Sequence, residues 1–465
     1  MKSGLCYEQK GWLYIYIEGA PFERGKAYGR QIADEFTKIQ HMLDFNVYES
    51  YGLKWDYLVK RIFKDVNKSF NEDNTYLEFK KEIEGIVAGV NEAGGKTTFE
   101  EMVAWNFYCS LPYWISTLFP AGSGVGAKEG GAPDKCSAFM AVGKDWTKDG
   151  GIVCAHNSFA EFIDQQYARC VVQIKPDKGH EIIYQTSPGW IWSGTDFWLS
   201  SAGIIGTETT FGGFSSFKNN TPLFLRARKA MQYSNSLDDN IKYFTDGNSG
   251  DYANAWLIGD INTKEIMRLE LGLKYVDVKK SKNGYFIGFN APFDPRIRNL
   301  ECSNTGFYDT RRHQGARNVR IYELMNKYKG KLDVNIAKKI IADHYDVYVH
   351  KINPSSRTVC SHYEMDDRKY MSQPGRPVPF QPQGAVDGVA VDSKLARKLQ
   401  FYGRWGSSCG TAFNAKNFFK KHLQWRNFKD YIYDRPSQPW TLLGKQNKKK
   451  TKRHHNQNKK TRKNI

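Results

Sequence analysis

Cys136 is the residue whose placement most suggests chemistry. Residues 121–135 form a glycine-rich run, AGSGVGAKEGGAPDK, and Cys136 ends it. From there Cys136, Ala138 and Met140 alternate with Ser137, Phe139 and Ala141, the period of a strand. A turn over 148–151 leads to a second strand, 152–156, ending at Asn157. A thiol at the point where loop becomes sheet is expected to be both reachable and rigidly held, which a reactive cysteine needs. The plainer reading is a small buried hydrophobe, the usual state of an internal cysteine.

The other seven cysteines are scattered, with no CxxC pair and no His/Cys spacing of a zinc motif, so no metal site and no cofactor are expected. No GxGxxG follows a strand, no GxxxxGK[ST] occurs, and no GxSxG elbow is present. Nucleotide binding and serine α/β-hydrolase chemistry are thereby disfavoured.

At 465 residues the chain can bury a large core, and its 14% aromatic content argues for folding through most of its length. The net charge of +19 is uneven. Residues 445–465 hold ten Lys or Arg and no acid, leaving +9 for the remainder. That tail is expected to be a disordered arm, solvated or touching anionic lipid or nucleic acid. No run of about 18 apolar residues predicts a spanning helix. The first residues lack the apolar core of a signal peptide, so an intracellular location is favoured on sequence alone.

Elements must position the thiol. Residues 11–19 alternate as a strand. Pro21 opens a helix in which Gly25 and Gly29 share a face, and glycines so placed imply a close backbone neighbour. Residues 76–93 carry a helical stripe of Leu77, Ile83, Ile86, Val87 and Val90. Thr97 or Thr98 is placed to cap a helix running through 98–111. Strand patterns dominate from 136, interrupted by helical stretches at 222–235, 311–328 and 333–343; 353–392 reads as loop, and WGSSCGTAF at 405–413 follows a predicted short helix. The expected class is α+β. The expected division is a mainly helical segment 1–135, a body 136–440 and the tail 441–465.

Several stretches in the same order, GAPFERGKAYGRQIADEF, DKCSAF, AHNSF, SPGWIWSGTDFWLSSAGIIGTETTFG, YANAWLIGD, PFQPQGAVDGVAVDS and FYGRWGSSCG, resemble the phospholipase B-like family. The first also resembles the penicillin acyltransferase-like group, and both are N-terminal nucleophile (Ntn) hydrolases. The resemblance implies a four-layer αββα sandwich and self-cleavage of the Lys135–Cys136 bond, which frees the α-amine of Cys136 as general base for its own thiol. It implies His156 and Asn157 as residues orienting the nucleophile and Asn254 as oxyanion donor. It implies Thr209 at the substrate pocket beside the nucleophile; Glu208 and Arg311 or Arg312 are weaker candidates there, and Trp190 and Trp192 are candidates for substrate contact by their aromatic character. The aromatic cluster Trp190, Trp192, Phe197 and Trp198 suits either an acyl groove or core between the sheets, core being favoured. The substrate expected is an acyl lipid, or alternatively a small N-acyl amide; a non-catalytic lipid- or polyanion-binding protein is the third reading. Members of the resembled family are secreted or lysosomal.

Overall fold

A computed structural model of the chain describes residues 4–119, 136–303, 306–366 and 381–445. The glycine-rich run before Cys136, the Lys135–Cys136 bond and nearly all of the basic tail lie outside the described residues. In chain order the strands are β1 (Leu5–Gln9), β2 (Trp12–Gly19), β3 (Cys136–Val142), β4 (Val153–Glu161), β5 (Cys170–Pro176), β6 (Ile182–Thr186), β7 (Phe197–Ser200), β8 (Ile204–Thr210) and β9 (Asn254–Asp260). They continue with β10 (Glu265–Leu271), β11 (Val276–Ser281), β12 (Gly284–Gly288), β13 (Tyr345–Asp346), β14 (Lys351–Ile352), β15 (Gln383–Ala385), β16 (Asp387–Asp392), β17 (Gln400–Trp405) and β18 (Thr441–Gly444).

Among the described residues these strands build two large sheets. One runs β1-β2-β5-β6-β7-β8-β9-β10-β11; the other runs β12-β3-β4-β16-β17-β18, with β15 also paired to β4. The sheets face each other across an apolar layer that includes Trp12, Met140, Cys154, Ile183, Phe197, Leu257, Val389 and Phe401. Outside the first sheet lie α1 (Pro21–Tyr51), α2 (Trp55–Val66), α3 (Asn74–Glu92), α4 (Phe99–Asn106), α5 (Leu223–Tyr233) and α6 (Leu237–Thr245), whose apolar faces join Ile15, Val172 and Trp256. Outside the second sheet, α7 (His313–Lys327) and α8 (Val334–Ile340) cover Phe139, Ala141 and Ala155. The result is the expected αββα sandwich. No described helix is long and apolar enough to cross a membrane.

The paired glycines behave as their spacing implies. A Cβ on Gly25 would stand 2.0 Å from the Glu82 carbonyl oxygen, and one on Gly29 would stand 2.1 Å from that of Ile86. Gly85 and Gly89 of α3 meet Phe22 and Lys26 of α1 as closely, so the two helices touch backbone to backbone. Arg24 and Arg228 both bond the Glu82 carboxylate at 2.7–2.9 Å inside this contact, a buried network with its charges paired.

Several expectations need revision. β2 pairs in parallel with β5, so residues before 135 share a sheet with those after 136. Thr441–Gly444 is a strand paired to β17 and not tail. The expected short helix, Ser393–Ala396, is present, but β17 stands between it and WGSSCGTAF, whose Trp405 ends that strand. Thr98 caps α4, its hydroxyl accepting from the Glu101 amide at 3.2 Å, but the helix ends at Asn106 in a 3-10 turn. Leu77 is 37% exposed and lies off the stripe that Ile83, Ile86 and Val90 bury. Trp190, Trp192 and Trp198 pack between the first sheet and its helices; only Phe197 of that cluster lies between the sheets.

Candidate active site

Cys136 is the first residue of β3, at one end of the second sheet. Its strand partner is Ser158, and alternation puts Cys136, Ala138 and Met140 on the face toward the other sheet. The thiol is only 1% exposed, so the expected accessibility is not met in the uncut chain.

The main chain of Cys136 is held at both polar ends. Its amide donates to Asn290 Oδ1 at 3.3 Å. Its carbonyl accepts from Arg317 Nη1 at 2.7 Å. Arg317, fully buried on α7, also reaches Ser137 Oγ at 3.2 Å and Asn290 Oδ1 at 2.9 Å, and lies over the Phe159 ring at 4.6 Å. Asn290 follows β12 with φ 69°, and its Nδ2 donates to the Thr210 carbonyl at 2.6 Å. Its two ends therefore join the two sheets beside Cys136.

Asp196, also left-handed at φ 68°, brings Oδ2 to 3.8 Å from the thiol sulfur and accepts from the Tyr252 hydroxyl at 3.1 Å. Left-handed Asp and Asn are sparsely populated states, and both touch Cys136, Asp196 at its sulfur and Asn290 at its amide. Glu208 stands behind Asp196. Burial, then the Asp196 charge, push the Glu208 carboxyl well above its usual range, so it keeps its proton beside the Asp196 charge.

The residues expected at the site are distributed unevenly around it. His156 lies on β4, paired with Ala138, and one of its ring nitrogens comes within 4.8 Å of both the thiol and Asp196. Both nitrogens are buried with no hydrogen-bond partner, and burial pushes the imidazole down to about 3. Asn157 points the other way. It accepts from the Ser137 amide at 3.2 Å and donates to the Ile341 and Val359 carbonyls at 3.0 Å each. Thr209 faces the space between the sheets and presses on Gly288, where a Cβ would stand 2.5 Å from its side chain. Asn254 is the strand partner of Thr210, and its amide nitrogen and oxygen are both buried without partners. The pleat turns it to the side of Trp256, toward the helices. Trp190 and Trp192 are buried, their N–H groups donating to Trp105 and Asn106 carbonyls at 2.7 and 3.2 Å, which marks them as packing residues. Arg311 is exposed and paired with Asp309 at 2.9 Å.

Asp196, Asn290 and Arg317 escaped the sequence reading. One signal was available for Arg317: it lies four residues before Ile321 and seven before Leu324, a charge on the apolar stripe of its helix. The cavities of about 50 and 220 Å³ near Glu161 are lined by residues that do not include Cys136.

The sequence model of the phospholipase B family matches residues 76–434, more than three quarters of the chain. The chain belongs to the phospholipase B family. Phospholipase B from Crotalus adamanteus is 29% identical over 247 residues, 47% of this chain and 42% of the relative. An uncharacterized protein of Archaeoglobus fulgidus is 25% identical over 260 residues, 55% of this chain and 42% of its own length. The matched regions thus span less than half of the length of these two relatives. Among solved structures, a mutant of conjugated bile acid hydrolase from Clostridium perfringens overlaps 58% of this chain and 89% of its own, at 11% identity and a TM-score of 0.34. In this member of the phospholipase B family, Cys136, Asp196, Asn290 and Arg317 come from four separate segments and meet at one end of the sandwich.

Proposed function

We propose that the chain is a self-processing cysteine hydrolase that cuts itself between Lys135 and Cys136 and then removes fatty-acyl groups from phospholipids. The observation that carries the reading is the hold on Cys136: its nitrogen faces Asn290 Oδ1 and its carbonyl is fixed by Arg317. Those bonds would keep a newly freed α-amine beside its own thiol.

The choice of base follows from magnitudes. An α-amine titrates near 7.7–8.0, about the working pH. His156, held at about 3, is far too weak a base for a thiol. In the proposed cycle the α-amine takes the thiol proton, and the sulfur attacks the ester carbonyl. The tetrahedral intermediate collapses to a thioester as the ammonium returns the proton to the departing lysophospholipid oxygen. Water, deprotonated by the same amine, then attacks the thioester. That collapse releases the fatty acid, and the proton held by the amine restores the thiol. His156 and Thr209 shape the space beside the thiol, and Asp196, near the sulfur, orients it.

Intact mass and N-terminal sequencing of purified protein test the first step. The expected fragments are 135 and 330 residues long, the second beginning Cys-Ser-Ala-Phe. Cys136→Ala is expected to remain uncut and to release no fatty acid from phosphatidylcholine vesicles. Undiminished release by Cys136→Ala would overturn the nucleophile. Turnover of small N-acyl amides but not vesicles would move the substrate to the amide class.

A further inference from the structure

A second cluster of reactive side chains lies on the far side of the second sheet from the inter-sheet space. His344, Cys360, His362 and Cys409 each turn one potential ligand atom inward, and these four atoms all lie within 4.8 Å of one another. The spacings are 16, 2 and 47 residues, matching no zinc motif, which is why the sequence predicts no metal site. Chain folding assembles the set from three places: the residue before β13, the loop after β14, and the loop after β17.

The two distances at His362 are those of a coordination shell. With metal–sulfur bonds of about 2.3 Å and metal–nitrogen bonds of about 2.0–2.1 Å at tetrahedral angles, ligand nitrogen and sulfur stand about 3.5 Å apart. His362 Nε2 is 3.4 Å from Cys360 Sγ and 3.4 Å from Cys409 Sγ. The outer shell is in place as well. His362 Nδ1 bonds Glu364 Oε1 at 2.7 Å, which keeps the proton on Nδ1 and turns the Nε2 lone pair to the two sulfurs. His344 Nε2 is buried with no hydrogen-bond partner. Two thiols and two imidazoles with a carboxylate behind one of them are a soft, nitrogen–sulfur donor set, suited to zinc rather than calcium or magnesium.

We propose that His344, Cys360, His362 and Cys409 hold one zinc ion in a closed, structural Cys2His2 site. Binding displaces the two thiol protons to solvent and forms two metal–sulfur and two metal–nitrogen bonds. With four protein ligands the ion has no open position for a substrate, so its task is to staple. What it staples bears on Cys136. Asn157 Nδ2 donates to the carbonyls of Ile341 and Val359 and, at 3.3 Å, to Ser408 Oγ. Val359 and Ser408 immediately precede two ligands, and Ile341 stands three residues before a third. The same Asn157 accepts from the Ser137 amide, next to Cys136. The site therefore anchors three loops to the strand that carries the nucleophile.

Two other states of the same atoms are open to test. One is a Cys360–Cys409 disulfide, and the other is a metal-free thiolate–imidazole pair of Cys409 with His362. The full chain, purified without chelator from cells grown in zinc-supplemented medium, is analysed for metals by plasma mass spectrometry. Its cysteines are mapped by alkylation under native conditions. The expected result is about one zinc per chain, with Cys360 and Cys409 protected until a chelator is added. Cys136→Ala keeps the zinc, which separates this site from the Cys136, His156 and Asp196 group. Cys360→Ser/Cys409→Ser loses it, and cobalt loaded into the wild-type protein shows the strong visible bands of tetrahedral thiolate coordination. A metal-free protein whose Cys360 and Cys409 are joined as a disulfide, or are alkylated at once, overturns the proposal. Zinc retained by the double serine variant overturns it too. The metal content of the wild-type chain decides even if the variants fail to fold, and it does so whether or not the chain proves to be a hydrolase.

Discussion

Replacing Arg317 by Lys keeps the positive charge and removes the fork. In the native protein the three guanidinium nitrogens serve four acceptors at 2.7–3.2 Å: the Cys136 carbonyl, Ser137 Oγ, Asn290 Oδ1 and the His313 carbonyl. A shorter, single-headed ammonium reaches one of them. Three bonds from a charged donor to buried acceptors are lost, at about 1.5–3 kcal/mol each, so the expected destabilisation is about 4.5–9 kcal/mol. With an unfolding entropy of about 2.1 cal/mol/K per residue, a chain of 465 residues loses about 1 °C of Tm per kcal/mol. The Tm should therefore fall by about 4.5–9 °C. On the proposed mechanism activity should fall much further, because releasing Asn290 and the Cys136 carbonyl lets Cys136 drift, and misplacement by about 1 Å costs about 100-fold. The assay pairs calorimetry with two readouts at a temperature where both proteins are folded: extent of cleavage before Cys136, and fatty-acid release from phosphatidylcholine vesicles. A lysine variant that cleaves itself and turns over within twofold of wild type would refute the positioning role of Arg317. So would a loss of activity fully accounted for by unfolded protein.

The remaining predictions concern the carboxyl pair and the helix contact. Glu208 is raised above its ordinary 4.5 by burial and by Asp196, so the folded chain holds a proton that the unfolded chain releases. Its contribution to stability is therefore present below pH 4.5 and declines as pH rises toward the folded value, by about 1.4 kcal/mol per pH unit. Glu208→Gln removes that slope, so its Tm relative to wild type should rise as the pH is raised above 4.5, by about 1.4 °C per pH unit while the folded chain keeps the Glu208 proton; a difference that stays flat from pH 4.5 upward would contradict the protonated pair. At Gly85 an added Cβ would stand 2.1 Å from the Phe22 carbonyl oxygen, whereas ordinary contact begins near 3.4 Å. Gly85→Ala should destabilise by about 2 kcal/mol or more in urea unfolding, against the gain of about 1 kcal/mol expected at an open helix position; a stabilised variant would show that α1 and α3 do not touch there.

Local rules made part of this molecule legible. Gly25 and Gly29 announced a backbone contact because only a missing side chain explains two glycines on one face of a helix. Thr98 announced a cap, and Cys136 announced the junction of loop and strand. Legibility ended where a residue's role depends on a distant partner. Asn290 and Asp196 matter through left-handed turns and bonds to the opposite sheet, and neither leaves a periodic trace. Asn157 sits next to His156 in the chain, but the pleat sends their side chains to opposite faces of the sheet, so sequence proximity grouped residues that the strand separates. Trp198 shares β7 with Phe197 but faces the helices, and Trp190 and Trp192 lie in the connection between β6 and β7, so aromatic density alone does not reveal which layer each ring fills.

The contrast between two cysteines shows why the chemistry is proposed for the sheet's end. Cys136 and Cys154 are both buried, and both turn to the inter-sheet side of the second sheet, Cys154 opposite Met140 on the neighbouring strand. Cys154 is surrounded by core, and burial alone pushes its thiol far above the usual range, so it stays a small hydrophobe. Cys136 differs in position and not in kind. At the strand end, the loops of both sheets arrive, and with them the Asp196 carboxylate, the Asn290 amide and the Arg317 guanidinium. Charged groups survive there because each has a partner: Arg317 has carbonyl and amide oxygens, and Asp196 has the Tyr252 hydroxyl. The middle of the layer offers no such partners, so a charge placed beside Cys154 would be expelled or neutralised. The two thiols thus follow from one sandwich: its apolar centre makes one inert, and its polar end gives the other the groups a nucleophile needs.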